Sequence, residues 1–195
     1  MLPPEVARVN WLELRRQLFH MFNGTLILLA YAHWGKAVGV VLLALSVAGL
    51  LASLYHTRVK PIPGASLFLG ALEREENLSF PGRGAILYGA SASLAILLFK
   101  PDAASAAVAA LAYGDAASTI VGKMLGRISI PWNRSMSLEG SLAFVMATFM
   151  GGSFFVPYLM ALAAGLIGAL VETIPKVDDN ITIPLIVGYL LNMIG

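Results

Sequence analysis

Four long stretches of this chain carry no charged side chain, and they limit what it can fold into. They are residues 17–35, 37–57, 84–99 and 140–171. A bilayer core requires an apolar helix of about 17–25 residues. Charged residues make up only 12% of the chain and hydrophobic residues 58%, whereas soluble domains carry about 25% and roughly 45–50%. The sequence therefore predicts an all-α, polytopic integral membrane protein, and it excludes a soluble or a disordered chain.

The charge-free stretches predict about seven transmembrane helices, with six as the alternative, in a single domain over residues 1–195. The run 140–171 would be about 48 Å long as one helix, against a hydrocarbon core of ~30 Å. A proline inside a helix removes a hydrogen-bond donor and clashes with the preceding turn. We therefore predict a helical hairpin that is broken near Gly151, Gly152 and Pro157. The other predicted spans are residues 14–34, 37–55, 84–99, 103–122 and 181–194.

The positively charged residues predict an orientation. With the N-terminus inside, the cytoplasmic segments are 1–13, 56–83, 123–138 and 172–180, and 11 of the 13 Lys and Arg residues lie in or beside them. Cytoplasmic loops of membrane proteins carry an excess of Lys and Arg. Every acidic residue except Asp102 lies on or close to the same face. We therefore expect the active site on the cytoplasmic face.

The first predicted helix carries a polar stripe into the membrane. At 100° per residue, Glu13, Arg16, Gln17, His20 and Gly24 fall within about 100° of arc. The structural alternative to a site is that Arg and Glu snorkel to water and that the histidine bonds to a neighbouring helix. His20 is too short to snorkel easily, so it is the member of the stripe that favours a site.

The fourth predicted helix contains a single acidic residue, Asp115, well inside its apolar span. Asp115 shares one face with Gly122 and with either Ser118 or Thr119, and the small neighbours allow a ligand or a backbone to approach closely. A carboxylate at this depth costs several kcal/mol unless it is paired, bound to a metal or hydrated. A functional role is therefore favoured over the alternative, a structural ion pair with an arginine or with His20.

The fifth predicted helix opens with the segment Ser137-Leu138-Glu139-Gly140-Ser141. Ser137 can cap the helix, and an acidic residue in the first turn suits the helix dipole. Capping alone is one explanation of the segment. A helix N-terminus rich in Gly and Ser is also a good phosphate site, and Arg134 lies just before this one.

Acids and an amide surround Lys176 in the segment that follows the sixth predicted helix: Glu172, Asp178, Asp179 and Asn180. Such oxygen ligands suit Mg²⁺ and its attached phosphates rather than zinc, although a solvated loop is the structural alternative. The chain has no cysteine, which excludes disulfides, thiolate metal sites and a cysteine nucleophile. Cations, carboxylates and a helix N-terminus on one membrane face together indicate metal-assisted phosphoryl or nucleotidyl transfer to a lipid.

Several motifs, in order along nearly the whole chain, resemble the CTP-dependent lipid kinases. That family includes dolichol kinase, phytol kinase and CTP-dependent diacylglycerol kinase, within the wider group of membrane CTP transferases. Each motif is weak alone, but the ordered set is fairly specific. The motifs are Glu13-x-x-Arg16-x-x-x-His20-x-x-x-Gly24, Arg74-x-Glu76, Gly114-Asp115-x-x-Ser118-x-x-x-Gly122, Ser137-x-Glu139-Gly140-Ser141, and Glu172 with Asp179-Asn180-x-x-Ile183-Pro184.

One position departs from the pattern of the family. Its members usually have lysine immediately before the serine of the Ser137 motif, and this chain has Met136. Arg134, which lies two residues earlier in the sequence, is expected to supply the missing positive charge.

The resemblance implies transfer of the γ-phosphate of CTP to the hydroxyl of a membrane lipid alcohol, with a polyprenol or dolichol as the expected acceptor. It also implies Mg²⁺ or another divalent cation, held by Asp115, Asp178 and Asp179. The expected catalytic residues are Asp115, Glu172 and His20, and either Glu172 or Asp115 would take the alcohol proton. The residues expected to bind CTP and its phosphates are Arg16, Ser118, Gly122, Lys123, Arg134, Ser137, Glu139, Gly140, Ser141, Lys176 and Asn180.

Two other classes of function remain open. A CDP-lipid synthase of the phosphatidate cytidylyltransferase type also uses CTP, but a lipid phosphate attacks its α-phosphate. The glycine–histidine turn that ends such enzymes is missing after Asp179. A transporter with Asp115 as proton carrier would need a path to both faces, whereas the polar residues here gather on one. The expected partners are CTP and a lipid alcohol in the bilayer, with no nucleic acid and with a homodimer left open.

Overall fold

The computed structural model describes residues 11–62, 80–174 and 178–194, and this part of the chain is mostly helical. Its helices are α1 (Trp11–Trp34), α2 (Ala37–Arg58), α3 (Arg83–Leu98), α4 (Pro101–Ala109), α5 (Ala116–Leu125), α6 (Leu138–Gly152), α7 (Tyr158–Glu172) and α8 (Asp179–Ile194). A π-helical turn, Ala110–Asp115, joins α4 to α5 into one helical segment, 101–125. The all-α prediction is confirmed for the described residues.

One local feature agrees with the predicted helices, and a second was not predicted. The break in the long charge-free run is confirmed, because α6 ends at Gly152 and α7 begins at Tyr158, directly after Pro157. An antiparallel pair of short strands, β1 (Ser129–Ile130) and β2 (Asn133–Ser137), lies between α5 and α6. The sequence analysis does not predict these strands, which are too short to show an alternating pattern.

The helical segment 101–125 forms the centre of the fold. It contacts α1, α3, α6, α7 and α8, and its residues Ala103, Ala107 and Ala110 are almost completely buried. Small side chains such as alanine let neighbouring helices approach closely. The side chain of Asp115, 15% exposed, is therefore surrounded by protein rather than by lipid.

Helix α1 crosses the π-helical turn at Gly24. A Cβ at this position would collide with the side chain of Ala112, so only a glycine permits so close an approach. His20 lies one turn earlier on α1 and is brought against the same π-helical turn. The crossing therefore positions His20 near Asp115.

Two helices are long and apolar enough to cross a bilayer by length and composition, namely α2 and the segment 101–125. The helices α3, α6, α7 and α8 are apolar but have 15 or 16 residues, which is about 22–24 Å of helix against a ~30 Å core. The prediction of seven spans is therefore not confirmed.

The outer surface of the fold is nevertheless strongly apolar. On α2, Val40, Leu45 and Leu51 are each more than half exposed. Large exposed apolar patches mark contacts with a membrane or with another protein. Together with the two long apolar helices, they indicate a membrane protein. The predicted motif Arg74-x-Glu76 and the predicted site residue Lys176 lie outside the described residues.

Candidate functional site

A cavity of about 450 Å³, here called the polar cavity, opens between α5, β2, the start of α6 and the end of α7. It brings together residues from three separate predicted motifs. The predicted site residues that line it are Ser118, Gly122, Lys123, Ser137, Gly140, Ser141, Glu172 and Asp179. The wall is completed by residues that were not among the predicted site residues, and they are Thr119, Asn133, Ser135, Met136 and Ile174.

The N-terminus of α6 forms one wall of the polar cavity. The Ser137 hydroxyl accepts a hydrogen bond from the Gly140 N–H at 3.1 Å, which confirms the predicted N-cap. A Cβ at Gly140 would lie 3.1 Å from the Ser118 carbonyl oxygen and 3.3 Å from the Gly122 Cα. The missing side chain therefore lets the start of α6 lie directly against α5. Unpaired N–H groups at such a helix start attract anions.

Two buried polar atoms at this cavity have no hydrogen-bond partner among the described residues. They are the Ser141 hydroxyl oxygen and Oε2 of Glu172. Glu172 is only 3% exposed, and its other carboxylate oxygen accepts a hydrogen bond from the Ser118 hydroxyl. A buried polar group without a partner costs about 1–3 kcal/mol. A polar ligand or a cation in the cavity would remove this cost.

Three carboxylates, Asp115, Glu172 and Asp179, interact electrostatically here. Glu172 and Asp179 belong to the segment 172–180, beyond the charge-free part of α7. Burial and then the negative charge of Asp115 raise the pKa of Glu172 to about 9. The same two causes raise the pKa of Asp179 to about 7. A nearby cation favours the charged form of a carboxylate, so the cluster is suited to one.

The described parts of the chain contain no group of three or more His, Asp or Glu side chains that could hold a metal ion on their own. Mg²⁺, however, is usually bound through one or two carboxylates together with waters and substrate phosphates. The unpaired Oε2 of Glu172 and the neighbouring Asp179 fit an ion that is shared with a ligand.

The structure divides the predicted metal ligands. Asp179 lines the polar cavity, whereas Asp178 forms an ion pair with Arg83 at 3.1 Å. Asp178 also accepts hydrogen bonds from the backbone N–H and the side-chain amide of Asn180, at 3.2 and 3.0 Å. Its described contacts are thus those of a residue that holds the start of α8 in place.

Asp115 lies at the end of the π-helical turn, beside His20. The Nε2 atom of His20 is 3.5 Å from Oδ2 of Asp115 and 3.0 Å from the carbonyl oxygen of Leu111. A carbonyl oxygen can only accept, so Nε2 carries a hydrogen and Nδ1 is the acceptor of the neutral ring. π-Helical turns occur frequently at functional sites. The contact between Asp115 and His20 also fits the structural alternative that the sequence left open.

Glu13 connects α1 to the polar cavity. Its Oε2 atom lies 3.1 Å from Arg16 and 3.2 Å from Lys123, and its Oε1 accepts a hydrogen bond from Gln17 at 2.8 Å. The sequence analysis placed Glu13 in the polar stripe but not among the site residues. The spacing to Arg16 and Gln17 was visible in the sequence, whereas the contact with Lys123, from a distant part of the chain, was not.

A second cavity of about 970 Å³, here called the apolar groove, lies between α1, α2 and α3. Most of its surface is apolar, and its polar side chains include Arg16, His20 and Asn180. His20 therefore faces this groove while lying next to Asp115, whose charge acts on the carboxylates of the polar cavity. Asp115 lines neither cavity, but it contacts His20 of the groove and its charge acts on Glu172 and Asp179 of the polar cavity.

Several predicted site residues do not line the polar cavity. Arg16 and Asn180 line the apolar groove instead. Arg134 is exposed on β2, and the Glu139 carboxylate accepts a hydrogen bond from the Ile128 N–H at 3.3 Å. The binding roles expected for these four residues remain predictions.

The strand pair is attached to the end of α7 and closes one side of the polar cavity. The Trp132 indole N–H donates to the Thr173 hydroxyl at 3.1 Å, and the Asn133 amide donates to the Thr173 carbonyl at 3.2 Å. Sequence reasoning missed Asn133 and Ser135 as cavity residues. Polar residues in a connecting segment are common, and nothing in their spacing points to Thr173.

No protein-family model matches this chain, and no solved structure matches it significantly. A probable chloroplastic phytol kinase 3 from Glycine max is 28% identical over 158 residues, which are 64% of this chain and 50% of that protein. An uncharacterized protein from Methanocaldococcus jannaschii is 29% identical over 185 residues, 92% of this chain and 93% of its own length. A chloroplastic farnesol kinase from Arabidopsis thaliana is 28% identical over 131 residues, 56% of this chain and 43% of that protein.

These similarities agree with the motif resemblance. The chain spans about half the length of the named kinases that it matches. Their names are those of phytol and farnesol kinases, which supports the kinase family that the motifs of this chain resemble.

Proposed function

We propose that this protein is a kinase that phosphorylates an isoprenoid alcohol in the membrane. The observation that carries the proposal is that Asp115 contacts His20 of the apolar groove and acts electrostatically on Glu172 and Asp179 of the polar cavity. The polar cavity ends at a helix N-terminus, as a phosphate site requires. The apolar groove has a polar end, as a lipid alcohol requires. The polyprenol and dolichol expected from the sequence are long members of this class of acceptor.

The proposed phosphate donor is CTP, on the strength of the motif resemblance. In the polar cavity, the start of α6 with Ser141 would face the phosphates, and Lys123 would neutralise part of their charge. Glu172 and Asp179 would hold a Mg²⁺ ion beside the phosphates. When bound, this ion neutralises the negative charge that develops during transfer.

The transfer step uses Asp115 as the base. The alcohol oxygen bonds to the γ-phosphorus while the bond from this phosphorus to the β–γ bridging oxygen breaks, so that CDP leaves. The alcohol proton moves to the Asp115 carboxylate. Glu172, the other candidate base, lies on the side of the nucleotide, whereas Asp115 lies 3.5 Å from His20 of the apolar groove. His20 would hold the Asp115 carboxylate in position beside the groove, with its Nε2 atom 3.5 Å from Oδ2.

Labelled CTP tests this proposal against its main rival, the CDP-lipid synthase. We expect γ-label from CTP to enter the organic phase when purified protein, Mg²⁺, an isoprenoid alcohol and a lipid extract that contains lipid phosphates are incubated together, and α-label to stay in the aqueous phase. The reason is that a kinase moves only the terminal phosphate. Recovery of α-label in the lipid would overturn the kinase and favour the synthase. If neither label is transferred, the transporter becomes the better hypothesis.

Replacing Met136 by lysine tests the nucleotide site through an expected gain in affinity for CTP. Met136 lines the polar cavity at the position where the resembling kinases usually have lysine. Hydrogen bonds from a cation to phosphate are roughly twice as strong as neutral ones. We therefore expect Met136→Lys to lower KM for CTP by about three- to tenfold, or ~1 kcal/mol.

Arg134→Gln is the matched control, because Arg134 lies two residues away on the same strand but does not line the cavity. We expect its KM for CTP to change by less than about twofold, as is usual for an exposed charge. A large rise in KM for Arg134→Gln would instead mean that Arg134 supplies the charge that Met136 lacks, as the sequence predicts.

We propose that the fold crosses the membrane seven times, with the N-terminus and the polar cavity on the cytoplasmic side. The supporting observation is the distribution of Lys and Arg along the chain. Short helices can be accommodated where the bilayer thins around them or where flanking residues snorkel.

Cysteine labelling tests this topology, because the parent chain has no cysteine. We expect single cysteines at Asn77 and Asp178 to react with an impermeant maleimide only from the cytoplasmic side. A cysteine at Lys100, between α3 and α4, should react only from the opposite side. If Asn77 and Asp178 react from opposite sides, the number of crossings between them is odd, and the proposal that α6 and α7 cross the membrane as a two-helix hairpin is wrong.

A further inference from the structure

The helices α1 and α2 are consecutive, yet a long groove separates them. Only Gly35 and Lys36 connect them, and helices joined so closely usually pack against each other along their length. Here α2 packs mainly on α3, and the apolar groove lies between α1 and α2. On α1 its lining residues extend from Arg16 to Trp34, about 27 Å of helix. The groove is therefore nearly as long as the ~30 Å bilayer core.

The two ends of this groove differ in polarity. Arg16, His20 and Asn180 lie at one end, and beyond Asn23 the α1 wall consists of apolar side chains. The positive charge of Arg16 is already paired with Glu13 at 3.1 Å, so this end favours a neutral hydroxyl over an anionic headgroup. The volume of about 970 Å³ lies at the upper end of the roughly 300–1,000 Å³ typical of small-molecule sites. The groove thus suits one extended apolar chain with a small polar end.

We propose that the apolar groove binds the tail of the acceptor alcohol, with the hydroxyl at His20 and the tail extended along α1 toward Trp34. The small side chain of Ala30 would determine how long a tail can pass. This inference rests on the proposed function, and it adds the site, direction and length selectivity of the acceptor. Ala30 lies ten residues beyond His20 on α1, or about 15 Å along the helix.

The distances translate into a number of carbon atoms. Bonds near 1.5 Å give an extended carbon chain a length of roughly 1.25 Å per bond. From His20 to Trp34, about 21 Å of helix, the groove accommodates the main chain of about four isoprene units. An obstacle at Ala30 would shorten the available length to about three units, because it stops the tail roughly 15 Å from His20.

Ala30→Phe tests this limit on the length of the tail, with Ala32→Phe as the matched control on the same helix. Ala30 lines the groove, whereas Ala32 is exposed and does not. We expect Ala30→Phe to lower kcat/KM for geranylgeraniol by at least about tenfold, as steric exclusion from an apolar pocket commonly does. With the shorter geraniol, kcat/KM should stay within about twofold, which also shows that the variant is folded. Ala32→Phe should leave both values nearly unchanged.

Two results would overturn the proposed tail site. One is an unchanged preference for chain length in Ala30→Phe, which includes an equal loss for both alcohols, and the other is an equal effect of Ala32→Phe.

A binding measurement separates this inference from the proposed kinase activity. A geranylgeraniol analogue with a diazirine on its last isoprene unit is crosslinked to the protein in phosphatidylcholine nanodiscs without CTP. We expect labelled peptides around Trp34 and Val38, and competition by geranylgeraniol but not by added phosphatidylcholine. Such labelling in a protein that transfers no phosphate would overturn the kinase and retain the tail site. Labelling of α6 or α7, or competition by the phospholipid, would overturn the tail site itself.

Discussion

Replacing Asp115 by asparagine is expected to lower kcat about 10²–10⁴-fold, the usual contribution of a general base, while the protein stays folded. Asparagine keeps the size and shape of the side chain but cannot take the proton of the alcohol. Folding should not suffer, because the charge of Asp115 opposes the ionisation of both Glu172 and Asp179. The melting temperature is therefore expected to stay equal or rise, as often happens when a charge is removed from an active site. Single-turnover transfer of γ-phosphate and thermal unfolding, in the same detergent, measure the two effects.

Asp102→Asn provides the control for this experiment. Asp102 lies at the opposite end of the helical segment 101–125 and is exposed, so the same chemical change there should leave turnover nearly unchanged. If Asp115 is instead a structural partner of His20, Asp115→Asn should destabilise the fold by roughly 3–5 kcal/mol, the cost of breaking a buried pair. An early-melting variant with near-normal turnover below its melting point would remove Asp115 from the catalytic site.

Glu172→Gln is expected to stabilise the ligand-free protein at alkaline pH and to abolish its stabilisation by Mg²⁺ and CTP. The folded protein holds the pKa of Glu172 at about 9, against a reference value of 4.5. Between these values the unfolded chain releases the proton first, so the wild type loses stability as the pH rises through this window. At ~1.4 kcal/mol per pH unit above 4.5, the loss reaches about 5 kcal/mol near pH 8. The glutamine side chain of Glu172→Gln does not titrate, so this variant should not lose stability in the same pH window.

Melting temperatures from pH 5 to 9, with and without Mg²⁺ and CTP, test this prediction. Glu139→Gln serves as the comparison, because Glu139 lies outside the polar cavity and its pKa is lowered, chiefly by hydrogen bonds from backbone N–H groups. That variant should gain no stability at high pH. A wild type and a Glu172→Gln variant with the same pH dependence and the same response to Mg²⁺ and CTP would show that Glu172 neither titrates in this window nor holds the metal.

The helices of this fold were largely predictable, because the signals that define them are local. Charge-free runs predicted where they lie, and Pro157 predicted the break between α6 and α7. The N-cap at Ser137 followed from the residue type and its place before an apolar run. The strand pair β1 and β2 was not predictable, because strands of two and five residues show no usable period. Their position depends on the hydrogen bonds from Trp132 and Asn133 to Thr173.

The sequence predicted which residues belong to the candidate site, but it did not predict which cavity or which contact each of them takes part in. Asp178 and Asp179 are adjacent in sequence and chemically identical, and both were expected to bind the metal. The start of α8 at Asp179 separates them, so that one contacts Arg83 and the other lines the polar cavity. Arg16 shows the same limit, because it belongs to a motif that fits phosphate binding, yet it lines the apolar groove.

The sequence by itself determined that this chain is helical and largely apolar, with polar residues at only a few positions inside its helices. These properties follow from which residues occur and how they are spaced. It also determined that His20 and Asp115 stand out, since a short polar side chain inside an apolar helix is costly unless it has a role. Only the tertiary structure decided that the two residues meet, at a crossing that requires Gly24, and that His20 lines the apolar groove. It also decided that Glu13 contacts Lys123. These contacts join residues far apart in the chain, and the packing of whole helices, which no local spacing encodes, brings them together.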